Sequence, residues 1–290
     1  MTYVRRYIDV TFEGDGKTTV KFDARDKYAL RTSARILKAG GFNFGELALE
    51  LRGLSKDHIH QLSTFGTLVR PNYNYHVRVD AGDDVNGMST VFEGGIQQAW
   101  ADMRAMPDVP FHVIAVSGGN ATVAKTPPST FSGPTDVPMM LEKLAQQTGL
   151  SFENSGVKAK IADPYFFGSG WKQMKEIIDA AGVEGFIDNK TLAIWPRDGA
   201  RNGDALYISA ETGMRDYPSF TQYGVQVRTE FRKAITYGGL MEIKSDIQNA
   251  CGTWRVIRID YDLQANTPRG NWFAVLNGSK VGAPVTVAGR

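Results

Sequence analysis

Apolar and polar residues alternate along the first 120 positions, the pattern of strands with one buried and one exposed face. Gly, Asn and Pro separate the alternating segments. We therefore predict strands at Tyr3–Phe12, Thr18–Asp23, Leu30–Ala39, Glu46–Leu54, His76–Ala81, Met88–Ile96 and Val109–Val116. The turn Gly14-Asp15-Gly16 is typical of a hairpin, and Ser55 is placed to cap a short helix. These strands are enough for a small barrel or sandwich.

The pattern changes after a segment rich in Gly and Pro that begins at Ser117. Apolar residues then recur with the period of a helix in two segments, where Asp136 and Ser169 are placed as N-caps and Gly149 and Gly182 as C-terminal caps. Two short predicted strands follow each helix: Ser151–Glu153, Val157–Ile161, Gly185–Ile187 and Thr191–Trp195. A helix-strand-strand unit that occurs twice predicts a small α+β module.

Alternation returns near Gly203, with strands predicted at Asp204–Glu211, Gly224–Arg228, Met241–Ser245, Gly252–Leu263 and Gly270–Leu276. The predicted fold class is α+β, mainly β. We predict three domains: a β-domain at 1–125, the α+β domain at 126–200 and a second β-domain at 201–290. The last residues, Gly282 to Arg290, are expected to be poorly ordered or bound by a partner.

Charge excludes some functions. The chain has 290 residues, with 33 basic and 31 acidic side chains and no run of like charge. A dedicated nucleic-acid binder normally concentrates Lys and Arg on one face, so this class is disfavoured.

No segment approaches the ~20 apolar residues of a membrane span, and we expect no stable membrane insertion. Met1 to Val10 lacks the apolar core of a signal peptide, which predicts synthesis in the cytoplasm.

No metal-binding motif stands out. His58 and His60 are two residues apart, whereas the metalloprotease pattern places two histidines at i and i+4. The acidic residues Asp80, Asp83 and Asp84 lack the further ligands and the closing Glu of a calcium loop. We predict no metal and no cofactor, and interpret these residues as surface, core or turn positions.

No catalytic signature stands out either. Cys251 has no histidine near it in sequence, and there is no Gly-x-Ser-x-Gly elbow. We predict no catalytic residues and a protein that is not an enzyme. An enzymatic alternative stays open from sequence alone: a peptidoglycan hydrolase that uses carboxylates such as Glu93 or Asp108.

Three passages carry a likeness to a known family. The first is Phe44–Leu54 with Ile59–Gly66, the second is Val77–Gly82 with Val91–Ile96, Trp100 and Pro107–Val109, and the third is Tyr237–Ile243 with Ala250–Val256. These passages resemble the baseplate hub proteins of contractile-tailed bacteriophages, particularly the Mu-like and P2-like group. The likeness runs from about Val4 to Lys280. Its family-like structural positions are Gly53, Leu54, Gly82, Phe92, Gly94, Gly252 and Trp254. One departure is that this chain is shorter than the larger hub proteins, as though an accessory domain were missing or supplied by another subunit.

The resemblance implies two tail-tube-like β-barrel domains that flank the α+β domain. It further implies a homotrimeric, pseudo-sixfold ring in the virion tail baseplate, assembled in the host cytoplasm. The ring would contact the tail tube protein, the central spike protein, the tape-measure protein and other baseplate proteins. Phage DNA would pass through its channel without specific binding, so we expect few unpaired Lys or Arg side chains there. A spike-base subunit of a related contractile secretion system is the alternative.

Overall fold

The computed structural model describes residues 4–14, 18–63 and 75–282. The N-terminal part contains β1 (Arg6–Gly14), β2 (Thr18–Phe22), β3 (Arg31–Ala39), β4 (Glu46–Arg52), α1 (Lys56–Leu62), β5 (Tyr75–Asp83), β6 (Gly87–Ala101) and β7 (Pro110–Val116). The strands predicted here are confirmed, and Ser55 accepts a hydrogen bond from the backbone N–H of His58 as the N-cap of α1. The predicted turn at Asp15-Gly16 and the passage beyond Ser63 lie outside the described residues.

The middle part contains α2 (Gly119–Val123), β8 (Ser129–Thr130), β9 (Pro134–Asp136), α3 (Val137–Gln147), β10 (Ser151–Asn154), β11 (Lys160–Ala162), β12 (Tyr165–Phe166), α4 (Gly170–Ala181), β13 (Val183–Asp188) and β14 (Thr191–Pro196). The Gly- and Pro-rich segment that begins at Ser117 therefore contains a short helix, α2. Ser169 caps α4 as predicted, and Gly182 ends it in the left-handed conformation. Asp136 occupies the N-cap of α3, but its side chain makes no capping hydrogen bond.

The C-terminal part contains β15 (Leu206–Ile208), β16 (Ser219–Thr221), β17 (Gly224–Glu230), β18 (Leu240–Ile243), β19 (Gly252–Ala265) and β20 (Trp272–Ser279). The strand predicted at Asp204–Glu211 is shorter than expected. Ser209 and Thr212 form a capping box that turns the chain into a 3₁₀ helix at Ala210–Thr212. The predictions did not include β16. The residues after Gly282 lie outside the described part, so the expectation for them stays a prediction.

Both β-rich parts contribute to one long sheet. Its strand order is β16-β17-β20-β19-β3-β4-β7-β6-β5-β1-β2, and β18 pairs with β19 and carries β15. The two parts meet where β19 pairs antiparallel with β3, from Arg258 opposite Ala39 to Ala265 opposite Thr32. A hydrophobic core with members from both parts lies against this sheet. Within residues 4–14, 18–63 and 75–282, no pairing joins β2 to another part of the sheet to close a barrel.

Two long strands bend within this sheet. The first half of β6 pairs with β5 up to Gly95, and its second half pairs with β7 from Gly95 to Ala101. Similarly, β19 pairs with β18 at Gly252–Arg255 and with β3 from Arg258 onward. Each strand has a register irregularity at its change of partner, and such bulges bend a strand. Each bent strand thus belongs to two differently oriented parts of the sheet.

The α+β part packs onto the long sheet through a three-stranded sheet of order β10-β14-β13. Phe186, Ala193 and Trp195 on one face of this small sheet belong to the core of the long sheet. Alternate residues on the other face, Ile187, Leu192 and Ile194, pack with α3 and α4 in a second core. The predicted order of helix, strand and strand occurs twice, but β11 pairs with β9 and not with β10.

Candidate assembly surfaces

A groove crosses the outer face of the long sheet where its two β-rich parts meet. We call it the sheet groove; it has a volume of about 780 Å³ and is lined by β3, β4, β7, β19 and β20. Its floor includes the half-buried or exposed apolar side chains of Leu37, Ala48, Ile114 and Val275. They occupy positions that alternate with core residues along their strands, so they face away from the core.

Carboxylates outnumber cations along the sheet groove. Glu46, Asp260 and Asp262 line it, together with Arg35. Asp260 accepts a 2.7 Å hydrogen bond from Nε of Arg258. Asp262 lies opposite Arg35 in the strand register and accepts a bond from the Asn271 side-chain amide through Oδ2. Its Oδ1 atom is buried and has no hydrogen-bond partner within the described residues.

Three arginines of the outer sheet face that do not line the groove are held in ion pairs. Arg52 contacts Glu50 through Nε at 2.6 Å and the carboxylate of Asp108 through a terminal nitrogen at 3.2 Å. Arg31 also pairs with Asp108. Farther along the sheet, Arg228 lies 3.5 Å from a carboxylate oxygen of Asp216. These three cations are therefore neutralised by neighbouring carboxylates, and Arg35 in the groove lining is not among them.

The long sheet has an open edge at β16, which pairs with β17 and with no other strand in the described part of the chain. Phe220 in this short strand is 54% exposed, and Tyr217 just before it is 69% exposed. Residues 96–101 of β6 pair with β7 on one edge. Their other edge has no strand partner within the described residues, because β5 pairs with β6 only up to Gly95. Unpaired strand edges offer backbone donors and acceptors to another chain.

An ion-pair network fixes the α+β part between the two β-rich parts. The carboxylate of Asp188, at the end of β13, lies 2.6 Å from Nζ of Lys38 in β3 and 2.8 Å from a terminal nitrogen of Arg201. Arg201 follows β14 and also holds Glu153 of β10 with two hydrogen bonds of 2.9 and 2.7 Å. Lys38, Asp188 and Arg201 have almost no exposed side-chain surface.

The network changes the acidity of its carboxyl groups. Burial would raise the pKa of Asp188, but the charges and hydrogen bonds of Lys38 and Arg201 outweigh it and lower this pKa from 3.8 to about 2. The hydrogen bonds from Arg201 likewise lower the pKa of Glu153. Sequence reasoning did not single out these four residues, because they lie far apart in the chain and each is an ordinary charged residue in its own segment.

Three of the family-like positions lie in the β5–β6 hairpin. Phe92 is fully buried in the main core. A Cβ atom on Gly82 would lie 2.0 Å from the carbonyl oxygen of Gly87, and one on Gly94 would lie 2.3 Å from that of Val116. These glycines therefore sit where two backbones approach too closely for any side chain.

The other four family-like positions lie at strand ends or in the second β-rich part. Gly53 and Gly252 have φ angles of 98° and 107°, a region that favours glycine. Leu54 is half-buried and packs against the main core. Trp254 is buried, and its indole N–H donates a 2.9 Å hydrogen bond to the carbonyl of Ala250. The seven positions do not form one cluster around a cavity; they occur at turns, close contacts and core sites.

The carboxylates of the enzymatic alternative are both engaged in ion pairs. Glu93 pairs with Lys190, and Asp108 pairs with Arg31 and Arg52. Among the described residues, no group of three or more His, Cys, Asp or Glu side chains is arranged to hold a metal ion. Over the same residues, none of the helices has the length and apolar character needed to cross a membrane.

The described chain is mainly β and is built on one long, mostly antiparallel sheet. The sequence model of the family described as Baseplate hub gp41 matches residues 8–276. The chain belongs to this family, as the resemblance predicted. It is a structural protein of the phage tail baseplate, and the prediction that it is not an enzyme is confirmed by this membership.

Solved structures of tail proteins share the fold. A 43 kDa tail protein of prophage MuSo2 from Shewanella oneidensis has a TM-score of 0.61 at 10% identity, over 96% of this chain and 99% of that one. A Neisseria meningitidis tail protein has a TM-score of 0.61 at 8% identity, over 94% and 96%. An Escherichia coli type VI secretion component has a TM-score of 0.58 at 7% identity, over 90% and 77%. A search of curated protein sequences gave no significant match.

Proposed function

We propose that three copies of the chain form a hub ring that joins the tail tube to the central spike. In this ring the β-rich parts, within residues 1–125 and 201–290, act as two tube-like β-domains, and residues 126–200 form the α+β domain between them. Three chains with two such domains each would present six similar modules to a sixfold tube. The matching bends of β6 and β19, each at a change of strand partner, support a related architecture in the two parts.

One observation carries the proposal: the β3–β19 pairing makes an uninterrupted sheet from β16 to the second half of β6, and neither end of it has a further strand partner among the described residues. Head-to-tail pairing of β16 with the free edge of β6 in the next copy would extend the sheet and close a ring. The exposed Phe220 in β16 and Tyr217 just before it would then become buried. Their burial would stabilise the interface, since aromatic side chains supply much of the binding energy between proteins.

The outer face that carries the sheet groove would line the channel of this ring. Three of its arginines are paired with carboxylates, and acidic side chains outnumber Arg35 in the groove lining, which would suit a channel through which DNA passes, because phosphate binding requires cations that are free to displace counterions. The two ends of the ring would contact the tail tube and the spike. The tape-measure protein and other baseplate proteins are further proposed partners.

The ring is tested by measuring the mass of the purified chain with light scattering. We expect the mass of three chains, and we expect Phe220→Asp to reduce it toward that of one chain, because the substitution places a charge in the proposed interface. The matched control is Tyr28→Asp, at a residue that is 83% exposed in the loop before β3 and should leave the trimer intact. Monomers at high concentration, or equal trimer formation by both variants, would refute the proposed ring.

A spike-base subunit of a contractile secretion system is the second candidate. In its favour, the type VI secretion component of Escherichia coli has a similar fold, so the same architecture occurs in a secretion system. Genes that encode tube, spike and tape-measure proteins beside this one would support the phage setting. Neighbouring genes for a secretion apparatus would instead support the second candidate.

A further inference from the structure

The chain contains three Asn-Gly pairs: Asn86-Gly87, Asn202-Gly203 and Asn277-Gly278. Such a pair can react with itself, because the backbone nitrogen of the glycine can attack the side-chain carbonyl carbon of the asparagine. Glycine favours the reaction, since it has no side chain to obstruct the closing ring and its backbone adopts many conformations. The surroundings of each pair in the folded chain therefore determine which asparagine reacts.

The pair in β20 is held on both sides by neighbouring strands. Gly278 is buried and lies between Val225 of β17 and Val256 of β19 in the strand register. The side-chain oxygen of Asn277 accepts a 3.0 Å hydrogen bond from the amide of Gln226. The glycine nitrogen of this pair is thus accessible only when the sheet opens locally, which costs free energy.

The pair at the tip of the β5–β6 hairpin is exposed but is also held. The side-chain nitrogen of Asn86 donates to the two carboxylate oxygens of Asp83 at 3.1 and 2.9 Å, and its backbone N–H donates to the same carboxylate at 2.6 Å. Gly87 lies opposite Asp83 in the strand register. These bonds fix the orientation of the amide, so they must break before it can reach the glycine nitrogen.

The third pair lies in the segment that joins β14 to β15. Asn202 and Gly203 are both exposed, and Gly203 has a φ angle of 137°. Within the described residues, neither the Asn202 side chain nor the Gly203 backbone N–H makes a hydrogen bond. The backbone is anchored just before the pair, where the N–H of Arg201 donates to the carbonyl of Gly238 at 2.8 Å and that of Asn202 donates to Oγ of Ser155 at 3.0 Å.

We propose that Asn202 is a site of spontaneous deamidation in the folded protein. The Gly203 nitrogen loses its proton and bonds to Cγ of Asn202, while the bond from Cγ to Nδ2 breaks and Nδ2 leaves as ammonia. Water then opens the succinimide ring at one of its two carbonyl carbons, and the ring nitrogen takes back a proton. Opening at Cγ gives aspartate, and opening at the backbone carbonyl gives isoaspartate. Water is the only co-reactant, and no electrons are transferred.

The reaction changes the segment that connects the α+β part to the second β-rich part. Both products carry a new carboxylate directly after Arg201. This carboxylate lies near a charged network, because Ser155, which accepts the Asn202 N–H, also donates a 3.2 Å hydrogen bond to Glu153, the partner of Arg201. In the isoaspartyl product the backbone runs through Cβ and Cγ, which lengthens the connection.

The test incubates the purified full-length chain at mildly alkaline pH and follows its tryptic peptides by mass spectrometry. We expect the peptide Asn202–Arg215 to gain one mass unit, the difference between an amide and an acid. The peptides Val79–Arg104 and Gly270–Lys280, which contain the other two pairs, should react at least about tenfold more slowly. That ratio corresponds to a local opening cost of about 1.4 kcal/mol. Fragment spectra assign the change to the Asn-Gly pair in each peptide.

Two controls separate the fold from the local sequence. In guanidinium chloride at the same pH, the three pairs should react at similar rates, because each asparagine is followed by glycine. Asn202→Gln should abolish the mass gain at position 202 and leave the rates at Asn86 and Asn277 unchanged, because glutamine must close a larger and less favourable ring. Circular dichroism before incubation checks that this variant is folded.

Two results would overturn the inference. The first is a folded chain whose Asn202 stays unmodified while the unfolded chain reacts at all three pairs. The second is a folded chain in which Asn86 or Asn277 reacts as fast as Asn202, since the fold would then not select the site. Neither result bears on the proposed ring, which is tested by the mass of the assembly.

Discussion

At the scale of single residues, Asp188 connects three parts of the chain. Its two carboxylate oxygens hold Lys38 of the first β-rich part and Arg201 of the segment that leads to the second. Removal of one partner from a buried ion pair leaves the other charges uncompensated. We expect Asp188→Asn to lower the free energy of unfolding by about 3–5 kcal/mol in urea denaturation. Asp179→Asn, which breaks an exposed pair on α4, should cost less than about 0.5 kcal/mol.

The same carboxylate predicts a dependence of stability on pH. Its pKa is about 2 in the folded chain, below the ordinary value of 3.8, so its contribution is present above pH 4 and is lost as the pH falls toward 2. The shift corresponds to about 2 kcal/mol at neutral pH. Between pH 4 and pH 2, the free energy of unfolding should fall more steeply for the unsubstituted chain than for Asp188→Asn. Parallel curves for the two proteins would contradict the assignment.

A side chain at position 94 should clash with the backbone at the bend of β6. Because an added Cβ would lie 2.3 Å from the carbonyl oxygen of Val116, Gly94→Ala must displace the β6–β7 pairing. We expect a loss of about 1–3 kcal/mol in the free energy of unfolding, the usual cost of overpacking. Gly199→Ala is the control, since its Cβ would meet Pro196 at ordinary contact distances of 3.4–3.5 Å. A similar cost at both positions would argue against a steric cause.

At the scale of elements, the two long helices of the α+β part differ in their caps. The hydroxyl of Ser169 accepts a hydrogen bond from the backbone N–H of Lys172, whereas Asp136 makes an exposed ion pair with Lys160. Ser169→Ala should therefore cost about 1 kcal/mol in the free energy of unfolding. Asp136→Ala should cost less than about 0.5 kcal/mol. Chemical denaturation of both variants checks the order, and a larger cost for Asp136→Ala would reverse the interpretation.

The elements also show how far the sequence predicts this fold. Strands such as β3 and β4 alternate regularly, and their bounds were predicted within a few residues. The end of β6 was missed because the irregularity between Ile96 and Gln98 interrupts the alternation. β16 is only three residues long and has no buried face, so its sequence shows no alternation of apolar and polar residues from which a strand could be predicted.

Such patterns do not predict which distant strands pair with each other. The β3–β19 ladder joins residues more than 200 positions apart, and alternation in each strand is compatible with many partners. The sheet groove depends on this ladder, so its residues could be predicted to face outward but not to lie together. The same holds for Lys38, Asp188, Arg201 and Glu153, which no local motif connects.

At the scale of the whole molecule, the sign of the charge on the outer sheet face bears on what can pass through the proposed ring. Glu46, Asp260 and Asp262 line the groove together with Arg35, and Asp260 is paired with Arg258. If this face lines the channel of the proposed ring, its small acidic excess would release few counterions on contact with DNA and would favour transit over retention.

This argument predicts that the chain does not retain duplex DNA at moderate salt, and that charge reversal creates retention. Glu46→Lys with Asp260→Lys should bind duplex DNA in a filter or mobility-shift assay, with an affinity that falls steeply as salt is raised. The same two changes at Glu142 and Asp179, on α3 and α4, should have a much smaller effect, because those residues are exposed on helices and do not line the groove. Equal DNA binding by the unsubstituted chain and the groove variant would show that the acidic lining does not control passage. An equal increase in DNA binding for the groove and helix variants would show that net charge alone determines DNA binding. The sheet groove would then have no part in the channel.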